Sequence, residues 1–357
     1  MFRLPIRDYT GNISLPIPAR FAVLIIVLPV VIMLSLMVGS VYIPFGTVFR
    51  VVLSQVPFLG SHYAGSFSPE QYEIVVLLRE PQILGAAVIG ASLGVGGAVI
   101  QSIFKNPITE PYVIGISSGA ALGAVIAITG TFDIFGIYSL SISSFAFSLL
   151  VVYLVYFLSL RHGRVPVVYL LLMGVAISLF VSSLVAFMIF NNVRLQGQVF
   201  FWLMGSLQEL TWDKLAIIFI INSLMIFVAV TFSKELDAFQ MGEEYAKSVG
   251  VRAEMTKLVL VSVIALGVSA CVAVSGLIGF VGLVIPHVSR LIYGGANRRV
   301  VPASAALGGI FLVLAEDLAH SSLFGGEVIP IGIITSLIGV PFFMFLLTRL
   351  SGGSYDT

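Results

Sequence analysis

The sequence predicts an all-α polytopic membrane protein with about ten transmembrane helices. Hydrophobic residues make up 59% of the 357 residues, charged residues only 10%, and the mean hydropathy is +1.10. Soluble domains, by contrast, carry about 25% charged residues. Several apolar runs are longer than the roughly 18 residues that indicate a membrane-spanning helix. A net charge of +1 argues against nucleic acid as a partner.

The predicted spans follow one another with short polar connections. A polar segment, 1–20, precedes the first span, 21–43, whose apolar run is too long for the core of a secretory signal. Residues 44–80 are amphipathic at first and then typical of a loop. The other nine spans are predicted at 82–103, 112–130, 137–160, 166–190, 213–232, 256–275, 277–292, 300–319 and 329–349. The span at 277–292 is short and contains Pro286, so a broken or re-entrant helix is an alternative there.

Lysine and arginine residues are distributed unevenly over the predicted loops. With ten spans and a cytoplasmic N-terminus, 14 of 18 lie inside, which gives the inner face about +6 and the outer face about −5. The four outside are Arg50, Arg79, Arg194 and Lys214. Because positive residues concentrate in cytoplasmic loops, both termini are predicted to be cytoplasmic. Residues 1–20 and 351–357 then flank a single transmembrane domain, 21–350.

One polar stretch, 234–257, holds 9 of the 35 charged residues and falls on the cytoplasmic side. Its centre predicts a short helix over Gly242–Val249, with an ion pair from Glu243 to Lys247 and Gly250 as a left-handed cap. The side chains expected on one face are Met241, Tyr245, Ala246 and Val249. Isolated helices shorter than about 12 residues are marginal. The segment is therefore either a loop helix packed on its own protein or a docking element for a soluble partner.

The sequence lacks the motifs that are typical of several other function classes. No GxxxxGK[ST] phosphate loop occurs, so the chain cannot itself be a P-loop ATPase. The single cysteine, Cys271, excludes a disulfide framework or a cysteine-based metal site within one chain. We expect neither a metal site nor a cofactor.

Five further segments occur in an order and spacing that are characteristic of one family. They are REP at 79–81, GASLGVGGAVIQSIFKNPITEPYVIGISSGAALGA at 90–124, MGEEYAKSVGV at 241–251, GLIGFVGLVIPHVSRL at 276–291 and EVIPIGIITSLIGVPFFMFLL at 327–347. Together they resemble the permease subunits of type II ABC importers, which take up iron-siderophores, haem and cobalamin. The resemblance covers about residues 21–350.

The resemblance implies a noncatalytic subunit of a larger assembly in the cell membrane of a prokaryote. A second permease subunit, identical or different, would complete a central pore. Two cytoplasmic ATPase subunits would bind beneath, and a substrate-binding protein would bind at the outer side. The residues that match the family's ATPase-coupling segment are Met241, Gly242, Glu243, Glu244, Tyr245, Ser248, Val249 and Gly250.

The family's cytoplasmic gate lies at two turns. One matches Asn106 and Ile108, although an Asn-Pro pair is also ordinary turn chemistry. The other matches Val167 and Val168, where the family often has small polar residues, so a more apolar constriction is implied.

Pore lining in the family lies mainly on the fifth span, here Tyr169–Phe190. The predicted lining residues are Met173, Ser178, Phe180, Ser182 and Phe187. Ordinary helix packing is the alternative explanation for such side chains. An adaptable apolar wall suits a bulky chelate better than a bare ion, because it cannot repay the desolvation of a charge.

At the outer side the family uses arginines to bind the substrate-binding protein. Arg79 matches one of these positions, whereas Gln82 and His320 occupy the others. Three acids near the outer ends of the last two spans, Glu316, Asp317 and Glu327, are expected to be mostly solvated. His287 after Pro286 is expected to belong to a helix kink and cap rather than to a metal site.

Two other classes fit less well. A secondary transporter would need ionisable residues near the bilayer midplane, and the central runs contain none. An intramembrane enzyme would need a convergent set of catalytic groups, but His287 and the pair Glu316 and Asp317 fall on different sides in this topology.

Overall fold

The computed structural model describes residues 6–7, 13–14, 16–39, 41–58, 60–63, 65–130, 135–321 and 327–351. The predicted cytoplasmic tail after residue 351 and most of the N-terminal segment before residue 16 lie outside these ranges. Two short strands, β1 Ile6–Arg7 and β2 Ile13–Ser14, pair antiparallel with Ile6 opposite Ser14. The other described elements are helical.

Sixteen α-helices occur in the described ranges: α1 Ile17–Ser35, α2 Phe45–Ser54, α3 Gly60–Tyr63, α4 Pro69–Tyr72, α5 Glu80–Phe104, α6 Ile116–Ile128, α7 Ser139–Leu158, α8 Val167–Asn191, α9 Gln196–Leu203, α10 Trp212–Thr231, α11 Ser233–Met241, α12 Glu243–Ser248, α13 Ala253–Ser275, α14 Val281–Tyr293, α15 Asn297–Ala319 and α16 Ile331–Ser351. A π-helix, Glu73–Arg79, joins α4 to α5. Short 3₁₀ helices at Pro111–Ile114, Gly136–Tyr138 and Val193–Leu195 lead into α6, α7 and α9.

Every predicted span overlaps a helix, although the first helix ends at Ser35 and the prediction placed its end at residue 43. Among the described residues, seven helical segments are long and apolar enough to cross a membrane: Ile17–Ser35, Pro69–Phe104, Gly136–Leu158, Val167–Asn191, Trp212–Thr231, Ala253–Ser275 and Asn297–Ala319. The other three predicted spans are the shorter apolar helices α6, α14 and the Ile331–Phe345 part of α16. The prediction of an all-α membrane protein is confirmed.

The shortest predicted span becomes α14, which begins at Val281 and has 13 residues. At 1.5 Å per residue such a helix is about 20 Å long, less than the roughly 30 Å of a bilayer core. The amphipathic segment after the first span forms α2, which buries Val48 and Val51 and exposes Phe45 and Phe49. Both findings agree with the sequence pattern.

The core of the bundle is α5, which packs against α10, α13, α14 and α15. Its glycines allow this contact. A Cβ atom at Gly90 would lie 2.1 Å from the carbonyl oxygen of Gly308 on α15, and one at Gly97 would lie 1.8 Å from that of Gly282 on α14. Any larger residue would push these helices apart, as expected where membrane helices pack through small residues.

Polar side chains cluster at the two ends of the bundle, which we name the α12 face and the opposite face. The α12 face includes the end of α5, helices α11 and α12, and the starts of α8, α13 and α15; Gln240 on α11 donates to Ser102 on α5 there. The opposite face includes the ends of α1 and α15 and the π-helix. The ends of α1 and α15 meet there through the hydrogen bond from Ser35 to Asp317.

Candidate functional site

The segment predicted as a short helix forms α12, bounded by two glycines with positive φ. Gly242 has φ 134° and Gly250 has φ 88°. The N–H of Gly250 donates to the carbonyl of Lys247 at 3.0 Å, and that of Val251 donates to Ala246 at 2.9 Å, which closes the helix. The predicted helix and its glycine cap are confirmed.

The helix before it, α11, was not predicted from the sequence. It buries Leu236, Ala238 and Phe239, whose spacing within the charged stretch was the available signal. The backbone N–H of Asn297, at the start of α15, donates to Oδ1 of Asp237 at 2.7 Å. Together with the bond from Gln240 to Ser102 at 3.1 Å, this contact fixes α11 to the bundle.

Three side chains form an exposed apolar edge on the segment around α12. Met241 is 70% exposed, Tyr245 48% and Val249 54%. Ala246 is fully buried, so the prediction that it shares this face is wrong. The reason is geometric, since successive helix residues point about 100° apart, and Ala246 faces the bundle. An apolar edge in a polar segment is typical of an interaction site.

The charged side chains of α12 form an ion-pair network. Lys247 Nζ lies 2.8 Å from Glu243, which confirms the predicted pair, and 3.7 Å from Glu244. The second oxygen of Glu243 lies 3.2 Å from Nζ of the buried Lys257 on α13. Partial burial raises the pKa of Glu243, but the bonds with Lys247 and Lys257 outweigh it and hold the pKa below its usual value. Glu243 is therefore ionised at neutral pH.

The two predicted gate turns lie on the same face. The Asn106 side chain accepts a hydrogen bond from the N–H of Ile108 at 3.0 Å, so it stabilises its own turn. Ile108 is 49% exposed and Val168 63% exposed, whereas Val167 is partly buried against the core. Ile108 and Val168 are therefore the most exposed of the four, and the gate role of all four stays a prediction.

The predicted pore-lining residues on α8 point in two directions. Phe180 is 66% and Phe187 67% exposed, and Ser182 is also exposed. Met173 packs against the core, and Ser178 accepts a hydrogen bond from Ser118 on α6 at 3.2 Å. These two residues are partly buried by contacts within the subunit, and the pore-lining role of all five residues stays a prediction.

Arg79, predicted to meet a binding protein, is instead an internal residue. Its side chain is 7% exposed and donates to the carbonyls of Leu36, at 2.9 Å, and Val41. Leu36 caps α1, so the guanidinium satisfies carbonyl groups just beyond that helix. Such burial argues against a direct docking contact, and the docking role of Arg79 stays a prediction. Gln82 is partly exposed and donates to Gln208 at 3.3 Å.

A cavity of about 350 Å³ lies beside Arg79 on the opposite face. Glu316 and Asp317 line it together with His320. Glu316 is 2% exposed, and its Oε1 lies 3.3 Å from Nδ1 of His320. The expectation that these acids are solvated is wrong for Glu316, because α15 turns it toward the bundle. Glu327 is exposed, as expected.

His287 lies inside α14, one residue after Pro286, and is partly buried. Within the described ranges, no group of three or more His, Cys, Asp or Glu residues is placed to hold a metal ion. The assignment of His287 to a kink is consistent with a helix that continues through the proline to Tyr293.

Comparison with known proteins places these features in one family. The model of the FecCD transport family matches residues 25–349. A cobalamin import system permease protein, BtuC, from Halobacterium salinarum is 37% identical over 78% of this chain and 74% of its own length. A molybdate import system permease protein, MolB, from Haemophilus influenzae is 33% identical over 80% and 85%.

A solved structure shows the same architecture. It is an inward-facing conformation assigned to the metal-chelate type of ABC transporter, with a TM-score of 0.80 and 29% identity. The match covers 93% of this chain and 99% of the solved chain. The similarity therefore extends over nearly the whole bundle, including both faces described above.

Proposed function

The chain belongs to the FecCD transport family, and from this premise we propose that it is the membrane permease of an ATP-driven importer of a metal chelate. Its cargo would be an iron-siderophore, haem or cobalamin, moved inward. Two separate ATPase subunits would supply the energy, and a binding protein outside the membrane would deliver the cargo. A second permease subunit, identical or different, would complete the pathway.

The observation that carries this proposal is the exposed apolar edge of Met241, Tyr245 and Val249. A permease without a phosphate loop must receive the work of ATP hydrolysis through a contact with another protein. The edge is rimmed by Glu243, Glu244 and Lys247, and an apolar centre with a polar rim is the usual anatomy of an interface. We assign it to the ATPase subunit.

The α12 face is then the cytoplasmic face. Support comes from the lysines and arginines, 14 of which lie on this side in the ten-span topology. Cysteines introduced at Ser66 and Arg194 would react with an impermeant reagent from outside, whereas cysteines at Gly163 and Asn297 would not.

The nature of the cargo is inferred from α8. Its exposed surface carries Phe180, Ser182 and Phe187, and the whole helix Val167–Asn191 contains no charged residue. Such a wall favours a bulky chelate over a bare anion, which would lose its hydration without compensation. The similarity to a molybdate permease makes an oxyanion the second candidate.

The experiment reconstitutes the chain in liposomes with an ATPase subunit and a substrate-binding protein that assemble with it. We expect ATP-dependent uptake of cyanocobalamin, haemin or a ferric siderophore, and little uptake of molybdate. Tyr245→Ala should reduce ATPase binding by about 2 kcal/mol, as for a central aromatic anchor, while the rim change Lys247→Ala should have little effect. Uptake driven by a proton gradient without ATP would refute the proposal, and molybdate as the preferred cargo would correct its substrate.

A further inference from the structure

Lys257 is a buried cation at the point where three elements meet. Its side chain is 1% exposed. The ammonium group donates to the carbonyl of Val165 at 2.7 Å, to Glu243 at 3.2 Å and to Glu254 at 3.1 Å. These acceptors belong to the connection between α7 and α8, to α12 and to α13. All three donors of the ammonium group are therefore in use.

The connection that Lys257 contacts is itself tightly held. The N–H of Val165 donates to the second oxygen of Glu254 at 2.9 Å, so both polar backbone groups of Val165 are bound to this pair of α13 residues. Arg161 and Arg164 pair through both backbone groups, at 2.8 and 3.0 Å. Pro166 follows, and α8 begins at the next residue. The turn at 161–166 is thus fixed immediately before the start of α8.

The network also ties α12 to this turn. One oxygen of Glu243 pairs with Lys247 inside α12, and the other pairs with Lys257. Withdrawing α12 from α13 would leave a buried ammonium group without one of its acceptors, which is strongly unfavourable. The arrangement therefore favours joint movement of α12 and the turn.

We propose that Lys257 is a positioning residue that makes α12 and the turn at 161–166 move as one body. Displacement of α12 by the ATPase would then reach the start of α8, where Val168 is exposed. This inference rests on the proposed function, because it assigns α12 to the ATPase contact. It adds the connection by which that contact reaches the membrane pathway.

The first test compares two lysines that share Glu243. Lys257→Met removes the buried cation, whereas the matched control Lys247→Met removes a partly exposed cation that contacts only residues of α12. The measurement is the number of cargo molecules taken up per ATP hydrolysed in liposomes. We expect a fall of about tenfold for Lys257→Met, a typical coupling between two sites, and no comparable fall for Lys247→Met. Equal ratios for the two variants would overturn the proposal.

The second test replaces the ionic connection with a covalent one. Lys247→Cys and Arg164→Cys, in a Cys271→Ser background without other cysteines, would be joined by bis-maleimides of graded length. The two parent side chains are close enough to interact electrostatically. We expect the bridged protein to keep its uptake, because the joined parts move together. The same bridge should restore uptake per ATP in the Lys257→Met protein.

Loss of uptake by the bridged chain with Lys257 intact would overturn the proposal where the same two cysteines, each capped with N-ethylmaleimide, keep uptake. That result would show that α12 and the turn must separate, and not merely that a modified position 247 blocks the ATPase contact. The bridging experiment on the chain with Lys257 intact still tests the proposal if the Lys257→Met protein fails to assemble. Absence of ATP-driven uptake by the unmodified complex would instead refute the proposed function. The two failures are therefore distinguishable.

Discussion

Lys257 at the α12 face and Glu316 at the opposite face are both almost completely buried, at 1% and 2% exposure. Lys257 has three hydrogen-bond acceptors. Oε1 of Glu316 has no hydrogen-bond partner in the part of the chain that the structure describes, although His320 Nδ1 lies 3.3 Å away. That distance allows electrostatic attraction, but the geometry does not make a hydrogen bond. Nδ1 of His320 lies 3.2 Å from the backbone carbonyl oxygen of Glu316, with which it makes its hydrogen bond.

The difference shows that burial of charge can serve two purposes in one bundle. A buried ion with all its hydrogen-bond partners fixes the relative position of several elements. A buried acid with an oxygen that accepts no hydrogen bond lowers the stability of the protein and holds fewer elements in place. The opposite face also contains Arg79, which is buried and well bonded to two carbonyls. We therefore expect changes to well-bonded buried charges at either face to destabilise, whereas a change at Glu316 should have the opposite sign.

The largest effect is expected for Arg79→Met. The change leaves the carbonyls of Leu36 and Val41 without their donor and opens space beside the cavity. We expect a loss of about 3 kcal/mol in the free energy of unfolding, as for a buried charged group with several hydrogen bonds. Denaturant titration of the purified protein in detergent measures it. Gln82→Met, which removes one weak bond at 3.3 Å, is the control and should cost less than about 1 kcal/mol.

If Arg79→Met left stability unchanged and only weakened binding of an outer partner, Arg79 would be a docking residue after all. The internal bonds would then contribute nothing measurable. This outcome would increase the contrast between the two faces, because only the α12 face would then contain a buried charge that is essential for stability.

The next prediction compares the same substitution, Glu→Gln, at the two faces, where we expect changes in stability of opposite sign. Glu254→Gln at the α12 face removes a negative partner of Lys257 and should destabilise by about 2 kcal/mol. Glu316→Gln at the opposite face replaces a carboxyl group that must give up its hydration or its charge on burial with an amide that is neutral throughout, and it should stabilise by about 1 kcal/mol. Unfolding of both variants is compared under identical conditions. A loss of stability in both would show that Glu316 is also a structural ion.

The sequence predicted most of the fold because its signals are local. Hydropathy located ten apolar helices in the described part of the chain, seven of them long enough to cross a membrane, and a glycine after a short amphipathic run located the end of α12. The pair of Glu243 and Lys247 followed from a spacing of one helical turn. Each of these depends on residues close together in the chain.

The contacts that the sequence did not predict involve partners that are distant in sequence or that leave no side-chain pattern. Arg79 is bonded to backbone carbonyls 43 and 38 residues away, which no residue type marks. Lys257 belongs to a charged stretch that suggests solvent exposure, but its shortest contact is with a carbonyl 92 residues earlier. On α8, apolar residues occur on all sides, so no periodicity separates Met173 on the packed side from Phe180 on the exposed side.

The smallest effect is expected for Lys247→Ala on the free energy of unfolding. Lys247 makes the shortest ion pair of the α12 network, at 2.8 Å, but 32% of its side chain is exposed and water screens the pair. The hydrogen bond with Glu243 raises the pKa of Lys247. A raised cationic pKa gives stability that is complete below the ordinary value of 10.5 and is lost as the pH rises above it. The lowered pKa of Glu243 gives stability that is lost below about pH 4.5.

At pH 7 the pair is therefore fully formed, yet its removal should cost no more than about 0.5 kcal/mol, as for other surface pairs. Unfolding at pH 7 in low and in 0.5 M salt measures this, and the difference should disappear in salt. A loss as large as that of Glu254→Gln would mean that the network stabilises the protein as a single unit. The exposed pair of Glu243 and Lys247 would then contribute as much as the contacts of the buried Lys257.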